Sequence, residues 1–177
     1  MDTSNIRIGT CQIFYEDDVA VEQDLGVTIG GVDVDVATST RQTKVDQFGE
    51  TVVEEVITGR SISVKVPMAE TTLDMLTAIM PGATLVTDGI DPTMKKVEVK
   101  TAVGESMLAM ARKLRLHPIS KAAGDFSEDL YIPLAATPGG MQFAYKTDQE
   151  RVFNAEFVGY PDANGLLFVY GDINATA

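Results

Sequence analysis

Valine and aspartate alternate through Gly31-Val32-Asp33-Val34-Asp35-Val36. A period of two puts the valines on one face of an extended chain and the carboxylates on the other, so the segment can bury one side only. That is the pattern of a half-buried β-strand. Arg60-Ser61-Ile62-Ser63-Val64-Lys65-Val66 repeats it up to Pro67, which has no N–H for an inner ladder, and Lys96-Val97-Glu98-Val99-Lys100 repeats it again. Segments 6–15, 106–117, 130–135, 152–160 and 166–170 read as further strands. Asn164-Gly165 reads as the bend of a C-terminal hairpin between the last two.

One stretch follows a different period. Between Glu70 and Met80, residues Leu73, Leu76, Ile79 and Met80 fall along one helical face, and Pro81-Gly82 ends the run. Thr71 and Asp74 stand at capping-box spacing. A lone amphipathic helix needs a sheet to cover. The expected fold is therefore mainly β: a sandwich or barrel of antiparallel strands with one flanking α-helix at about residues 70–80. Residues 37–58 form a long early polar excursion around Thr38, Ser39, Thr40, Gln42, Thr43, Lys44, Asp46 and Gln47, followed by Phe48-Gly49 and a strand-like run from Val52 to Ile57. Long excursions in compact domains tend to carry function. No composition shift or repeat divides the chain, so residues 1–177 are expected to form a single domain with short flexible termini.

Charge and composition narrow the chemistry. The net charge is −12, with 12 acids against 4 bases in residues 1–60 and 6 against 7 in residues 61–120. An acidic chain without clustered Lys and Arg is not built to hold nucleic acid stably. Apolar runs reach about five residues, as in Leu166 to Tyr170, far below the roughly 20 of a membrane helix. No signal peptide is visible in Met1 to Asn5. Cys11, the single cysteine, has no partner for an internal disulfide and suits a reducing compartment. It has no basic neighbour to activate it.

Catalytic and metal readings find little support. His117 is the only histidine and lies beside Pro118 at a strand end. Glu16, Asp17, Asp18, Glu22 and Asp24 lack EF-hand spacing and read as a solvated acidic loop, with calcium as the competing reading. The glycines at 26, 30 and 31 make no dinucleotide fingerprint. The expectation is a protein that is not an enzyme and takes no metal or cofactor.

Three stretches in order carry a resemblance: Asp24-Leu25-Gly26 with Gly30-Gly31-Val32; Val45-Asp46-Gln47-Phe48-Gly49 running to Thr58-Gly59-Arg60; and Val66-Pro67-Met68-Ala69-Glu70-Thr71-Thr72-Leu73 before Met80-Pro81-Gly82-Ala83. Gly159-Tyr160-Pro161-Asp162, Gly165 and Gly171-Asp172 add to it. Together they resemble the major tail tube proteins of siphophages, within the phage tail tube and Hcp-like superfamily. The resemblance implies a structural subunit located in the virion tail and assembled in the host cytoplasm. Hexameric rings would stack into a hollow tube that conducts double-stranded DNA during ejection without binding it specifically. It also implies as partners further copies of the chain, a tape measure protein, and tail terminator and tail-tip proteins, with no membrane. Four strands from each of six subunits would make an inner barrel of about 24 strands, roughly 37 Å or more across at the backbone and wide enough for a duplex.

On the same resemblance, Asp46, Gln47, Phe48 and Gly49 centre a loop that reaches a neighbouring subunit; an ordinary long hairpin is the alternative. Asp33 and Asp35 are candidates for an acidic lumen wall, the alternative being a face turned to outer solvent. Lys95, Lys96, Lys100, Arg112, Lys113 and Arg115 are candidates for ring stacking. Competing identities are a terminator, a distal tail ring or an Hcp-like tube. A small β-sandwich ligand-binding module is a further one, although that reading expects exposed aromatics and the chain has no Trp.

Overall fold

The structure is a computed structural model that describes residues 9–16, 21–70, 72–101, 103–140, 142–148 and 150–175. The start of the first expected strand (6–8), Asp17 and Asp18 of the acidic loop, the capping residue Thr71 and the extreme termini lie outside them. The elements run β1 (Cys11–Glu16), β2 (Glu22–Asp24), β3 (Asp33–Lys44), β4 (Val52–Met68), α1 (Leu73–Ile79), β5 (Ala83–Thr87), β6 (Lys95–Val99), α2 (Met107–Met110), β7 (Arg112–Pro118), β8 (Leu130–Ala136), β9 (Phe153–Tyr160) and β10 (Val169–Tyr170). Eight strands form one antiparallel sheet in the order β2-β1-β7-β8-β9-β4-β3, with β10 on β8; β5 and β6 pair separately.

The large sheet curls on itself. β1 and β9 are three strand spacings apart, about 14 Å in a flat sheet, yet the rings of Tyr15 and Phe157 lie 5.1 Å apart and the Tyr15 hydroxyl donates to the Ala135 carbonyl at 3.2 Å. The interior so enclosed holds Ile13, Ile62, Val64, Val66, Met68, Leu114, Ile132 and Phe157, none more than 1% exposed. Residues 25–29 span the open side. Leu25 N–H donates to Ile13 of β1, whereas Thr28 bridges Met68 of β4. The mainly β architecture with a flanking helix agrees with the alternation in the sequence.

Several local expectations change. Thr72, one residue later than the expected cap, accepts the Met75 N–H through its hydroxyl at 3.2 Å. Met75 and Ile79 are the buried residues of α1, while Leu76 and Met80 are partly buried and Leu73 is exposed. Segment 106–117 is not one strand, because Met107–Met110 makes a helical turn first. Pro67 does not stop β4; it is the penultimate residue, opposite Asn154, and its carbonyl accepts from Ile29. The C-terminal hairpin is not one either. β10 pairs with Leu130 and Tyr131 of β8, on the edge that β9 occupies further along at residues 134–136. The Asp162 carboxylate takes the N–H groups of Asn164 and Leu166, turning the chain out of β9 so that it re-enters on β8.

A charged knot lies at the margin of the core. Arg115 donates to Glu22 of β2 at 2.5 Å and to Asp129 at 3.3 Å, with its guanidinium 4.2 Å from the Phe14 ring and 5.5 Å from that of Phe126. Asp129 also pairs with His117 Nδ1 at 2.7 Å, and its carbonyl accepts from Gly171. Burial opposes the charge on Arg115, but its hydrogen bonds to Glu22 and Asp129 outweigh burial and raise its pKa. The cluster ties β2, β7, the 119–129 connection and the approach to β10 into one unit.

Two stability predictions follow from this packing. A Cβ at Gly159 would overlap the Ile62 Cγ2 methyl and lie 3.1 Å from that of Ile132. Gly159→Ala should therefore lower the unfolding free energy by about 1–3 kcal/mol through overpacking; an unchanged denaturant midpoint would mean that the two isoleucines move aside freely. Asp129→Ala, which leaves a buried histidine and a largely buried arginine without their shared acid, should cost about 3 kcal/mol in the same assay.

Candidate assembly surface

β4 has only its C-terminal part in the core, and β3 pairs with it there and along the arm beyond. On β4, Ile62, Val64, Val66 and Met68 are buried, but every residue from Val52 to Ser61 is exposed, as is all of β3. β9 covers β4 only from Ser63 to Met68. Beyond that point the two strands run on as a bare ribbon, roughly 30–35 Å long at the strand rise. The polar excursion at 37–58 is thus a regular antiparallel arm, and its irregular part is confined to the tip. The loop expected from composition becomes a ladder because polar Thr, Ser and Gln on β3 stand opposite the β-branched run of β4. Thr40↔Ile57 is such a pair, and the cations Arg41 and Lys44 stand in the same way opposite Val56 and Val52.

Two register shifts shape the arm, at Ser39/Thr40 and at Thr43/Lys44. Each leaves one β4 residue without an opposite number and increases the local twist. The Thr40 hydroxyl donates to Glu55 at 2.6 Å, and Lys44 pairs with Glu50 across the tip. The tip itself is a 3-10 turn at Asp46–Phe48 closed by Gly49 at φ 61°, a left-handed conformation that favours glycine. Phe48 is 64% exposed there. The four tip residues singled out from the sequence therefore sit together at the farthest point of the arm.

Asp33 and Asp35 lie at the root of the arm. Their register partners are Lys65 and Ser63, whereas Val34 and Val36 face Val64 and Ile62. The alternation of faces agrees with the sequence, but the expected burial of the valine face does not occur, because β3 is exposed along its whole length. Lys65 stands between Asp33 and Glu156 across three strands, so the acidic face contains a cation. Val34 and Val36 stay 43% and 44% exposed although they share the face of buried neighbours. β3 is the last strand of the sheet, so no strand among the described residues covers its outer edge.

The six cations do not form one surface. Lys95 and Lys96 are on β6, and Lys100 follows it; Arg112, Lys113 and Arg115 are on β7. Most of them are already engaged. Lys96 pairs with Glu98 at 2.6 Å, Lys113 with the largely buried Glu16 at 2.8 Å, and Arg115 belongs to the knot. Arg112 donates to the carbonyls of Ala109 and Ala111.

The remaining candidates are accounted for by the fold. Glu16 and Glu22 are ion-paired, and the Asp24 carboxylate accepts the Gly26 N–H at 2.9 Å. Among the described residues no group of three or more His, Cys, Asp or Glu could hold a metal ion. Burial pushes the Cys11 thiol pKa up, away from reactivity. His117, expected as a plain strand-end residue, is buried against Asp129 with Nε2 lacking a hydrogen-bond partner. Sequence separation of the two by 12 residues gave no sign of their contact.

A second exposed feature escaped the sequence reading. Phe143 stacks on Phe153 at 4.7 Å and meets Tyr145 edge-on at 5.5 Å, while Arg151 lies over the rings of Tyr145 and Phe153. Tyr145 is 80% exposed. Phe143 and Tyr145 alternate, a weak signal that could have marked them.

No protein-family model matches this sequence, and no curated protein matches it. Among solved structures, the chain is similar to one described as the virion of a native gene transfer agent particle. The identity is 8% and the TM-score 0.47, over 90% of this chain and 95% of that chain.

Proposed function

We propose that this protein is a structural subunit that polymerises into a phage tail tube, with hexameric rings stacked around an acidic channel for double-stranded DNA. The observation that carries the reading is the twelve-residue outer strand β3, open along its edge and continuous with a bare arm. A long open edge is a template for strand pairing and is normally blunted by short length, proline or a covering element. This one is twelve residues long, contains no proline and has no covering strand among the described residues, although two register shifts and several charges lie along it. An isolated two-stranded ribbon is also marginal in water, so the arm gains its stability when a neighbouring copy adds to it. Val34 and Val36, apolar and half exposed beside the same edge, would be buried by that pairing.

The order of glycine and loop motifs in the sequence points the same way. In this reading Asp33 and Asp35 face the channel, and Asp46 to Gly49 engage a neighbouring subunit. Lys95 and Lys100, which keep their charge outside the ion pairs of β7, remain the cations best placed for stacking between rings. The tape measure, terminator and tail-tip proteins are the further partners, the virion tail is the location, and no catalysis is involved. Negative-stain microscopy of the purified chain tests the reading directly. Long hollow tubes are the expected result, and a protein that stays monomeric at high concentration would overturn it; single rings would point to a terminator or distal ring.

Replacing residues 40–58 with an Asn-Gly turn joins Ser39 to its register partner Gly59 and removes the arm without touching the core. The variant should keep its β-rich circular dichroism and its unfolding midpoint while tube formation is lost. Tubes of normal length from it would remove the arm from assembly.

The channel assignment is tested by charge. Asp33→Lys with Asp35→Lys changes four charge units per subunit at solvated positions, which should leave folding nearly unchanged. Tubes assembled around short duplex fragments should then retain DNA at low salt and release it as salt rises, because each phosphate contact displaces counterions. Equal retention by unmodified and substituted tubes would place this face outside the channel.

A further inference from the structure

The tip of the arm and the aromatic cluster around Tyr145 lie at opposite ends of one strand. The arm tip closes beside Val52, the first residue of β4, and the cluster is anchored through Phe153, which pairs with Met68, the last. Seventeen residues of strand separate the two by about 50 Å. They cannot meet within one copy. The tip can therefore meet such a platform only on another copy, and when the contact runs head to tail it generates a ring or an open polymer.

The chemistry of the two ends is complementary. At the tip, one exposed aromatic ring, Phe48, is flanked by Asp46 and Glu50, and residues 44–55 carry four acids against Lys44 alone. At the other end, Phe143 borders a hollow of about 630 Å³ that Gln142, Lys146, Glu150, Val152 and Asn154 also line, and Tyr145 meets the Phe143 ring edge-on at 5.5 Å. Arg151 is exposed and holds its guanidinium against the rings without an acid of its own chain in the described contacts. In a chain of net charge −12 most surfaces repel an acidic tip; this one offers a ring-stacked cation beside a hollow of mixed lining, with Phe143 and Val152 as its apolar part and Lys146 and Glu150 as its charged part. An aromatic side chain flanked by carboxylates fits it, with the ring among rings and a carboxylate on the guanidinium.

We infer that the Phe48 tip of one copy docks on the Phe143–Tyr145–Arg151 platform of the next copy along the tube axis. This rests on the tube reading and names the surface that receives the arm. It assigns Phe48 the role of the buried anchor and Arg151 that of the charge that fixes orientation. Phe48 makes no core contact, and Arg151 touches the core only through the edge ring of Phe153.

The test uses the full-length chain and measures the lowest concentration at which tubes form, by sedimentation and negative stain. Phe48→Ala and Arg151→Glu should each raise that concentration at least tenfold while circular dichroism stays unchanged. Reversing the tip with Asp46→Arg and Glu50→Arg should impair assembly alike. Combining the reversed tip with Arg151→Glu should then restore it, as should an equimolar mixture of the two variant chains, because each tip finds a matching platform on the other. Restoration supports the docking and cannot come from a merely misfolded variant. If the unmodified chain forms tubes and Arg151→Glu forms them equally well, or if the combined charge reversal fails to recover assembly, the platform is not the receptor and the tube reading stands. If the unmodified chain forms no tubes, both readings fall together.

Discussion

The organisation of the molecule depends on the ladder between β3 and β4 extending past the end of the core. Residues 63–68 of β4 pair with β9 on one edge, residues 63–65 pair also with β3 on the other, and Val64, Val66 and Met68 fill the interior. The two strands β3 and β4 then continue without a third strand among the described residues. The backbone groups that face each other are paired, so the arm holds as a ribbon, but its outer edges stay open and nothing buries its side chains. A domain that ended at the core would be complete in itself. Continuing the ladder by about ten residues turns it into one with a projecting, unfinished element, and the open edge of β3 and the exposed valines at its root share that origin.

Charge is distributed to suit this division. Arg115 of β7 is held inward between Glu22 and Asp129, while the exposed Lys113 pairs with the largely buried Glu16. Largely desolvated charges such as Arg115, Asp129 and Glu16 need such partners, since each left alone would carry a desolvation cost of several kcal/mol. Acids outnumber bases in the chain, whose net charge is −12. An acidic exterior keeps free subunits apart in solution and limits pairing to places where a specific cation or an apolar patch offsets the repulsion. A chain with an open twelve-residue edge needs such restraint, because edge pairing in any register would otherwise lead to irregular aggregates.

In the proposed assembly, two unlike ends and one open edge would separate two directions of growth. Edge pairing would join neighbours side by side, and a contact between the tip and the opposite end of β4 would join them along the strand axis. The residues of the arm are exposed throughout, so the arm carries no core residue. The subunit can therefore fold first and associate afterwards, and association can be altered without loss of fold.

Much of the local structure was written in the sequence. The alternation of Val32, Val34 and Val36 with Asp33 and Asp35 determined that β3 would have unlike faces, because side-chain direction along a strand depends only on position. The spacing of Leu76, Ile79 and Met80 likewise determined a helix, and Pro81-Gly82 its end. What the sequence could not decide was which strand meets which. Segment 166–170 looked like the return limb of a hairpin with β9, but the free edge of β8 at Leu130 and Tyr131 was available and took β10 instead. The polar stretch after Ala37 looked irregular because periodicity reports burial, and a ribbon with both faces in solvent has no burial to report. His117 with Asp129, and Phe143 with Phe153, are contacts between residues that share no element. Local propensity and face are properties of neighbours along the chain, legible from order alone. Register, edge exposure and the separation of arm tip from aromatic platform arise only when the sheet has closed on its core and distant segments have competed for the same edges.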